Sequence, residues 1–302
     1  MRNQNKTFAY MEIVISLLIV GSTSIIGKVL TNSLPIFLVN GLSLIVASII
    51  YLIIILLKKV DIFKISRRDY FIIFLVGFFG TFLYRIAFFY GLKYTSASEA
   101  GIISSSLPAV FGFGTYILLK EKLTRNQIKG IIFSVIGLLL INFNSAIGFS
   151  ISTKQIIGNG LVFFSVIMGA LFTIISGFLS RKITPLMISS LTSFFSALLF
   201  LPFMIIDLNK FNLFSISYKG FLLIIYYAIF VTVISFLLWF DSLKTISIST
   251  AGVFTSLIPL TSIVLGFVIL KESLNLNQII GAIFILISIV MISKANPNKN
   301  NY

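Results

Sequence analysis

The sequence predicts an all-α integral membrane protein: ten transmembrane helices arranged as two inverted five-helix repeats. Three observations carry this. Apolar residues make up 58% of the 302 positions and charged residues only 10%, against roughly 25% charged in a soluble domain. Ten apolar stretches of about 20 residues, the length that crosses a bilayer as a helix, follow one another through short connections. The chain also resembles itself at a constant offset of 151 residues. Mean hydropathy is +1.10, which excludes an ordinary soluble protein and a disordered one alike.

The expected spans are 9–30, 35–57, 70–91, 97–118, 126–144, 158–180, 185–206, 219–240, 249–270 and 277–293. The first follows Arg2 and Lys6, as a secretory leader would. Its length, its embedded Glu12 and the nine spans behind it predict a retained helix instead. The second span holds Asn40 and the third Tyr84 and Arg85. The fourth and ninth carry Pro108 and Pro259 near their middles. The fifth and tenth open after Asn126 and Asn277, good helix N-caps. The eighth holds Tyr226, Tyr227, Ser235 and Trp239, the last read as an interface anchor. No connection is long enough for a soluble domain.

Alternate connections differ in Lys and Arg. One set, which includes both termini and the clusters Lys58 to Arg68 and Lys120 to Lys129, holds sixteen. The other, with Lys28, Lys93, Lys154, Lys210, Lys219 and Lys271, holds six. The positive-inside rule then puts both termini in the cytoplasm. The net charge of +15 is thereby explained as a topology signal, and nucleic acid is not an expected partner.

Residues 91–137 align with 242–288 without a gap. Identities include Lys93/Lys244, Gly101/Gly252, Ser105/Ser256, Pro108/Pro259, Glu121/Glu272, Asn126/Asn277 and Gly130/Gly281. The offset is half the chain, which divides it into repeats 1–150 and 151–302. Five spans per repeat is an odd number, so the second repeat enters the membrane inverted. This construction recurs in secondary transporters, with the solute site near the midplane.

The stretch GLKYTSASEAGIISSSLPAVF, followed by LLKEKLTRNQIKGIIF, resembles the end of an EamA-type repeat of the drug/metabolite transporter superfamily. SLKTISISTAGVFTSLIPLTSIVLGFVILKESLNLNQIIGAIF looks like the second copy. The resemblance covers the whole chain and implies efflux or exchange of amino acids, metabolites or drugs. Gly21 to Lys28 resembles the family's glycine-to-lysine pattern in the first span, whereas MGALFTIISG in the sixth lacks the lysine.

Cys and His are absent. That excludes disulfides, thiol nucleophiles, a Ser-His protease and His or Cys metal sites. No Walker motif is present. Asp61, Asp69, Asp207 and Asp241 fall at or beyond span ends and form no carboxylate pair. The expected protein is therefore not an enzyme and needs no metal or cofactor.

A proline inside a helix frees the carbonyl four residues back, here those of Ser104 and Thr255. In lipid such a break is tolerated where protein or a watery cavity covers it, so cavity lining and a packing kink both stay open. Candidate substrate-binding residues are Ser22, Ser24, Asn40, Tyr84, Arg85, Ser104, Ser105, Pro108, Thr255, Ser256 and Pro259. Gly101 and Gly252 read as packing residues. Arg85 lies about 22 Å into the third span, in the outer third of the bilayer core. There an arginine is costly unless it reaches water, a partner or a substrate. Glu99, across the short outer turn, is its candidate partner in a gate; the alternatives are snorkelling for Arg85 and helix capping for Glu99.

The expected function is secondary transport of a small organic solute, such as an amino acid or related metabolite, by alternating access in the cytoplasmic membrane. Expected partners are the solute, the lipid bilayer and either a proton or an exchanged solute; a homodimer is compatible with the sequence. Multidrug or hydrophobic-cation efflux and a non-transporting sensor or lipid-handling protein are the alternatives.

Overall fold

The computed structural model describes residues 6–23, 26, 29–30, 33–61, 65–94, 103–104, 106–119, 124–142, 153–180 and 182–270, together with 276–293. These residues are almost wholly helical and include no strand. We number the helices α1 (Lys6–Gly21), α2 (Ile36–Lys58), α3 (Arg67–Gly77), α4 (Tyr84–Tyr94), α5 (Leu107–Leu119), α6 (Arg125–Asn142) and α7 (Thr153–Ser180). There follow α8 (Pro185–Leu208), α9 (Tyr218–Tyr226), α10 (Ser235–Ser242), α11 (Ile248–Phe254), α12 (Leu257–Leu270) and α13 (Leu276–Ser293). Two π-helical segments, π1 (Phe78–Leu83) and π2 (Tyr227–Ile234), join α3 to α4 and α9 to α10.

Five continuous helices, Ile36–Lys58, Arg67–Gly91, Thr153–Ser180, Pro185–Leu208 and Tyr218–Ser242, are long and apolar enough to cross a membrane. The other expected spans fall on shorter helices, among them the apolar stretches Leu107–Leu118 and Ile279–Met291. Local sequence sets the ends. Pro35 precedes α2, and Lys59, at φ 49°, closes it by donating its N–H to the Ile55 and Leu56 carbonyls. Ser66, Ser217 and Ser247 cap α3, α9 and α11 by accepting from Asp69, Gly220 and Thr250 N–H groups. Ile49, Leu52, Ile53, Leu56 and Leu57 leave an exposed apolar stripe along α2, the face a bilayer would cover.

The chain folds as two compact units. One comprises Met1–Phe82 and Ile175–Thr245, the other Leu83–Ile174 and Ile246–Tyr302. In the first, α2 and α8 pack antiparallel. Phe37 stacks on Phe203 at 5.1 Å and lies 6.3 Å from Phe200, while the Asp207 carboxylate accepts the Leu38 N–H at 3.3 Å. The α1 helix runs antiparallel to the α9–π2–α10 rod. Ser16 Oγ donates to the Ser235 carbonyl at 2.9 Å and sits 3.1 Å from its hydroxyl; Ser22 Oγ lies 3.1 Å from Tyr226 Oη.

In the second unit, α6 and α13 pack closely. Phe133 stacks on Phe284, and Ser288 Oγ donates to the Gly130 carbonyl at 2.8 Å. A Cβ at Gly137 would stand 2.7 Å from the Gly281 carbonyl oxygen, so the backbones approach only because position 137 has none. On the same principle a Cβ at Gly252 would collide with the Phe111 ring. Phe111 is the centre of a cluster with Ala170, Ile174 and Ile248.

Candidate functional site: polar groups within the membrane helices

The expected site residues divide between the two units. Ser22 and Asn40 belong to the first. Tyr84, Arg85, Ser104, Pro108, Thr255, Ser256 and Pro259 belong to the second. Ser24, Ser105 and Glu99 lie outside the described residues.

Much of their hydrogen bonding is local. Ser22 Oγ donates to the Ile19 carbonyl at 2.6 Å besides meeting Tyr226. Asn40 is buried, and its amide nitrogen donates to the Ile36 carbonyl at 2.8 Å. Thr255 and Ser256 are buried and donate to the Gly252 and Val253 carbonyls, each at 2.6 Å. Hydroxyls that bond the preceding turn satisfy themselves and bend the helix. Ser104 is half-buried and Pro108 buried.

Both proline-bearing segments are interrupted just before the proline. The first half has a turn at Ser106, whose N–H donates to the Ile103 carbonyl at 3.0 Å, and α5 starts at Leu107. In the second half α11 ends at Phe254, and Thr255 and Ser256 form the turn into α12. The carbonyl that Pro259 leaves without its usual donor, that of Thr255, accepts the Ile258 N–H at 3.0 Å. The break is therefore closed by the backbone itself.

Arg85 is buried, at 7% exposure, on α4. Next to it, Tyr84 is half-buried, stacks on Phe88 at 5.9 Å and has its ring 3.5 Å from where a Gly169 Cβ would stand. A buried guanidinium is suited to bidentate recognition of a carboxylate.

The sequence profile of the EamA-like transporter family matches residues 7–143 and again 150–294. The chain belongs to that family. It is a multi-pass membrane transporter. It is 32% identical to uncharacterized transporter YetK of Bacillus subtilis, over 96% of this chain and 88% of that protein. It is 26% identical to an uncharacterized transporter of Archaeoglobus fulgidus, over 82% of this chain and 84% of that one. A solved crystal structure aligns over 95% of this chain and 96% of its own with a TM-score of 0.79; at 17% identity the likeness is one of fold.

In this EamA-like transporter the structure adds polar groups that sequence reading passed over. Ser189, Ser190, Thr192, Ser193 and Ser196 of α8 are all buried. Their spacing of three and four residues was a readable signal of one helix face. Ser196 Oγ donates to the Thr192 carbonyl at 2.7 Å and reaches the Gly77 carbonyl at 3.3 Å. The hydroxyls of Thr192, Ser193 and Thr81 have no hydrogen-bond partner among the described residues. Tyr51 was missed as well. Its hydroxyl, fully buried, donates to the carbonyls of Thr232 and Val233 in π2. Trp239, expected as an interface anchor, is instead 5% exposed and packed inside the first unit, because it lies on the face of α10 turned toward α1.

An open cleft of ≈ 370 Å³ in the first unit is lined by Lys59, Asp61, Ser66, Asp69, Lys182 and Thr184. It sits at the ends of α2, α3 and α8 and includes none of the expected site residues.

Proposed function

We propose that this protein is a secondary transporter of small organic solutes such as amino acids or related metabolites, working as an exporter or exchanger by alternating access. Ten spans form two inverted repeats, 1–150 and 151–302, in the cytoplasmic membrane, with both termini on the inner side. The solute site draws on Arg85 and on the hydroxyls around Pro108 and Pro259. Arg85 binds the solute carboxylate, and Glu99 is its partner in an outer gate.

One observation supports this reading above the others. Contacts between α6 and α13 are reciprocal under the 151-residue offset: Gly137 meets Gly281, Gly130 meets Ser288, and Phe133 meets Phe284. Reciprocal contacts are what two-fold related copies make, and an internal two-fold in the membrane plane is the basis of alternating access. The two π segments add to it, since Leu83 and Ile234, their last residues, also differ by 151. π segments are frequent at functional sites.

Uptake and efflux of labelled amino acids and related metabolites in proteoliposomes, with and without a pH gradient, test the reading. Saturable transport of a carboxylate-bearing solute is expected. Transport confined to hydrophobic cations would replace the proposed substrate class.

A further inference from the structure

The cleft at the ends of α2, α3 and α8 lies wholly within the first unit and offers ≈ 370 Å³. Ile183 and Met187, both buried, give it apolar lining. Around them stand Lys59, Asp61, Ser66, Asp69, Lys182 and Thr184. Lys59 takes its place from the left-handed turn that closes α2. Lys182 belongs to the short connection from α7 to α8. Two lysines far apart in the sequence are thus brought to one cavity.

The acidic groups of the cleft are already committed. The Asp69 carboxylate accepts the Ser66 hydroxyl at 2.8 Å, while Ser66 Oγ accepts the Asp69 N–H at 3.1 Å. This is a capping pair, and an anion in the first turn of α3 also offsets the positive end of that helix. Asp61 has interactions of its own. The basic groups are not committed. Among the described residues, neither the Lys59 nor the Lys182 ammonium forms an ion pair. Thr184, at the start of α8, makes no capping hydrogen bond with its side chain. Two ammonium groups that share a cavity repel each other until an anion joins them. Lys58 and Arg67, close by in the chain, are exposed and line none of the cleft.

The cleft also sits where a bilayer ends. The helices that meet there, Ile36–Lys58, Arg67–Gly91 and Pro185–Leu208, are all long and apolar enough to cross a membrane. The exposed apolar stripe of α2 continues through Leu56 and Leu57 to within one turn of Lys59. We propose that this cleft binds the headgroup of an anionic phospholipid. Lys59 and Lys182 hold the phosphodiester, the Thr184 hydroxyl donates to it, and the acyl chains lie along the α2 stripe. Basic pockets between membrane helices suit such headgroups. A soluble phosphate shares the chemistry of the headgroup but leaves the stripe unused, and the two carboxylates repel a doubly charged anion more than a singly charged one. The site requires only that these helices span a membrane and does not rest on the transport reading. On the orientation proposed above it belongs to the inner leaflet.

Two measurements on the full chain in detergent test it. In the first, phosphatidylglycerol and phosphatidylcholine are added in equal amounts and the lipid retained is weighed by native mass spectrometry. Wild type should retain one phosphatidylglycerol in preference. Lys59→Gln and Lys182→Gln should each weaken that preference about fivefold, and the double variant should hold the two lipids alike. Lys58→Gln combined with Arg67→Gln removes the same charge outside the cleft and should keep the preference. No preference in wild type, or equal losses in the two double variants, would overturn the site. Where the double cleft variant does not fold, Lys182→Gln alone is compared with Lys58→Gln on the same terms. In the second, thermal unfolding is followed with phosphatidylglycerol or inorganic phosphate present. The lipid should raise the unfolding temperature of wild type but not of Lys182→Gln, and phosphate should raise neither. An equal rise with phosphate alone would overturn the lipid in favour of a soluble ligand.

Discussion

Phe133 and Phe284 stack with ring centroids 5.4 Å apart and planes 26° apart, and each is the other's counterpart under the 151-residue offset. Such a contact is what a two-fold axis between the proposed repeats would produce. The Gly137–Gly281 and Gly130–Ser288 contacts exchange with each other under the same offset, as flanking contacts of such an axis must. The α6–α13 pair thus makes the contacts that the proposed two-fold related repeats would make.

That close approach makes Gly137 intolerant of a side chain. Gly137→Leu should lower the apparent unfolding temperature in detergent, with a loss of about 1–3 kcal/mol typical of overpacking. Gly160, on α7, has nothing within 4 Å of its would-be Cβ, so Gly160→Ala should leave the melting curve unchanged. Equal effects of the two substitutions would mean that the helices part easily.

Tyr51 should matter through its hydroxyl alone. Tyr51→Phe keeps the ring and removes the donor to the Thr232 and Val233 carbonyls. A buried acceptor left unpaired costs about 1–3 kcal/mol, and the expected result is a destabilised protein that still inserts. Thermal unfolding followed by circular dichroism measures it.

Arg85 separates a structural role from a substrate role. Arg85→Lys keeps the charge and loses the planar fork; Arg85→Gln loses both. With normal membrane levels, both variants should transport a carboxylate-bearing solute more slowly, and Arg85→Gln the more so. Unchanged rates in proteoliposomes would remove Arg85 from the site.

For the paired breaks, the outcome depends on whether the prolines set the turn or merely follow it. The Thr255 carbonyl is already satisfied by Ile258, so Pro259→Ala should insert and fold. If the break serves the cycle, Pro108→Ala and Pro259→Ala should slow transport without changing membrane levels. Wild-type rates in both would leave the segments as packing elements.

Orientation is open to a direct test because the chain has no cysteine of its own. Single cysteines at Lys154 and Lys210 should react with an impermeant thiol reagent on intact cells. One at Lys64 should not. The reverse pattern would invert the topology.

Class and helix content were legible because composition and hydrophobic run length act on every residue at once. The interruption before each proline was legible for a local reason, the missing N–H. The π segments were not. In π2 the Thr232 carbonyl is met from 181 residues away by the Tyr51 hydroxyl, and no local pattern reports such a partner. The α8 hydroxyl face was written in the spacing of SSLTSFFS, yet serine in a membrane helix so often bonds its own backbone that the spacing alone was passed over. Asn40 shows the converse: a polar residue in a span drew notice, and its amide nitrogen turns out to serve the Ile36 carbonyl.

The Gly130–Ser288 contact has a consequence for how such a chain can change over generations. In a dimer of identical half-length chains, a glycine replaced by serine would be replaced on both sides of the axis. The serine opposite Gly130 donates a hydrogen bond, but a serine at position 137 would press its Cβ on the Gly281 carbonyl. Once both copies are carried by a single gene, one side can gain the hydroxyl while the other stays bare. Fusion thus opens a class of one-sided substitutions that identical subunits can never sample.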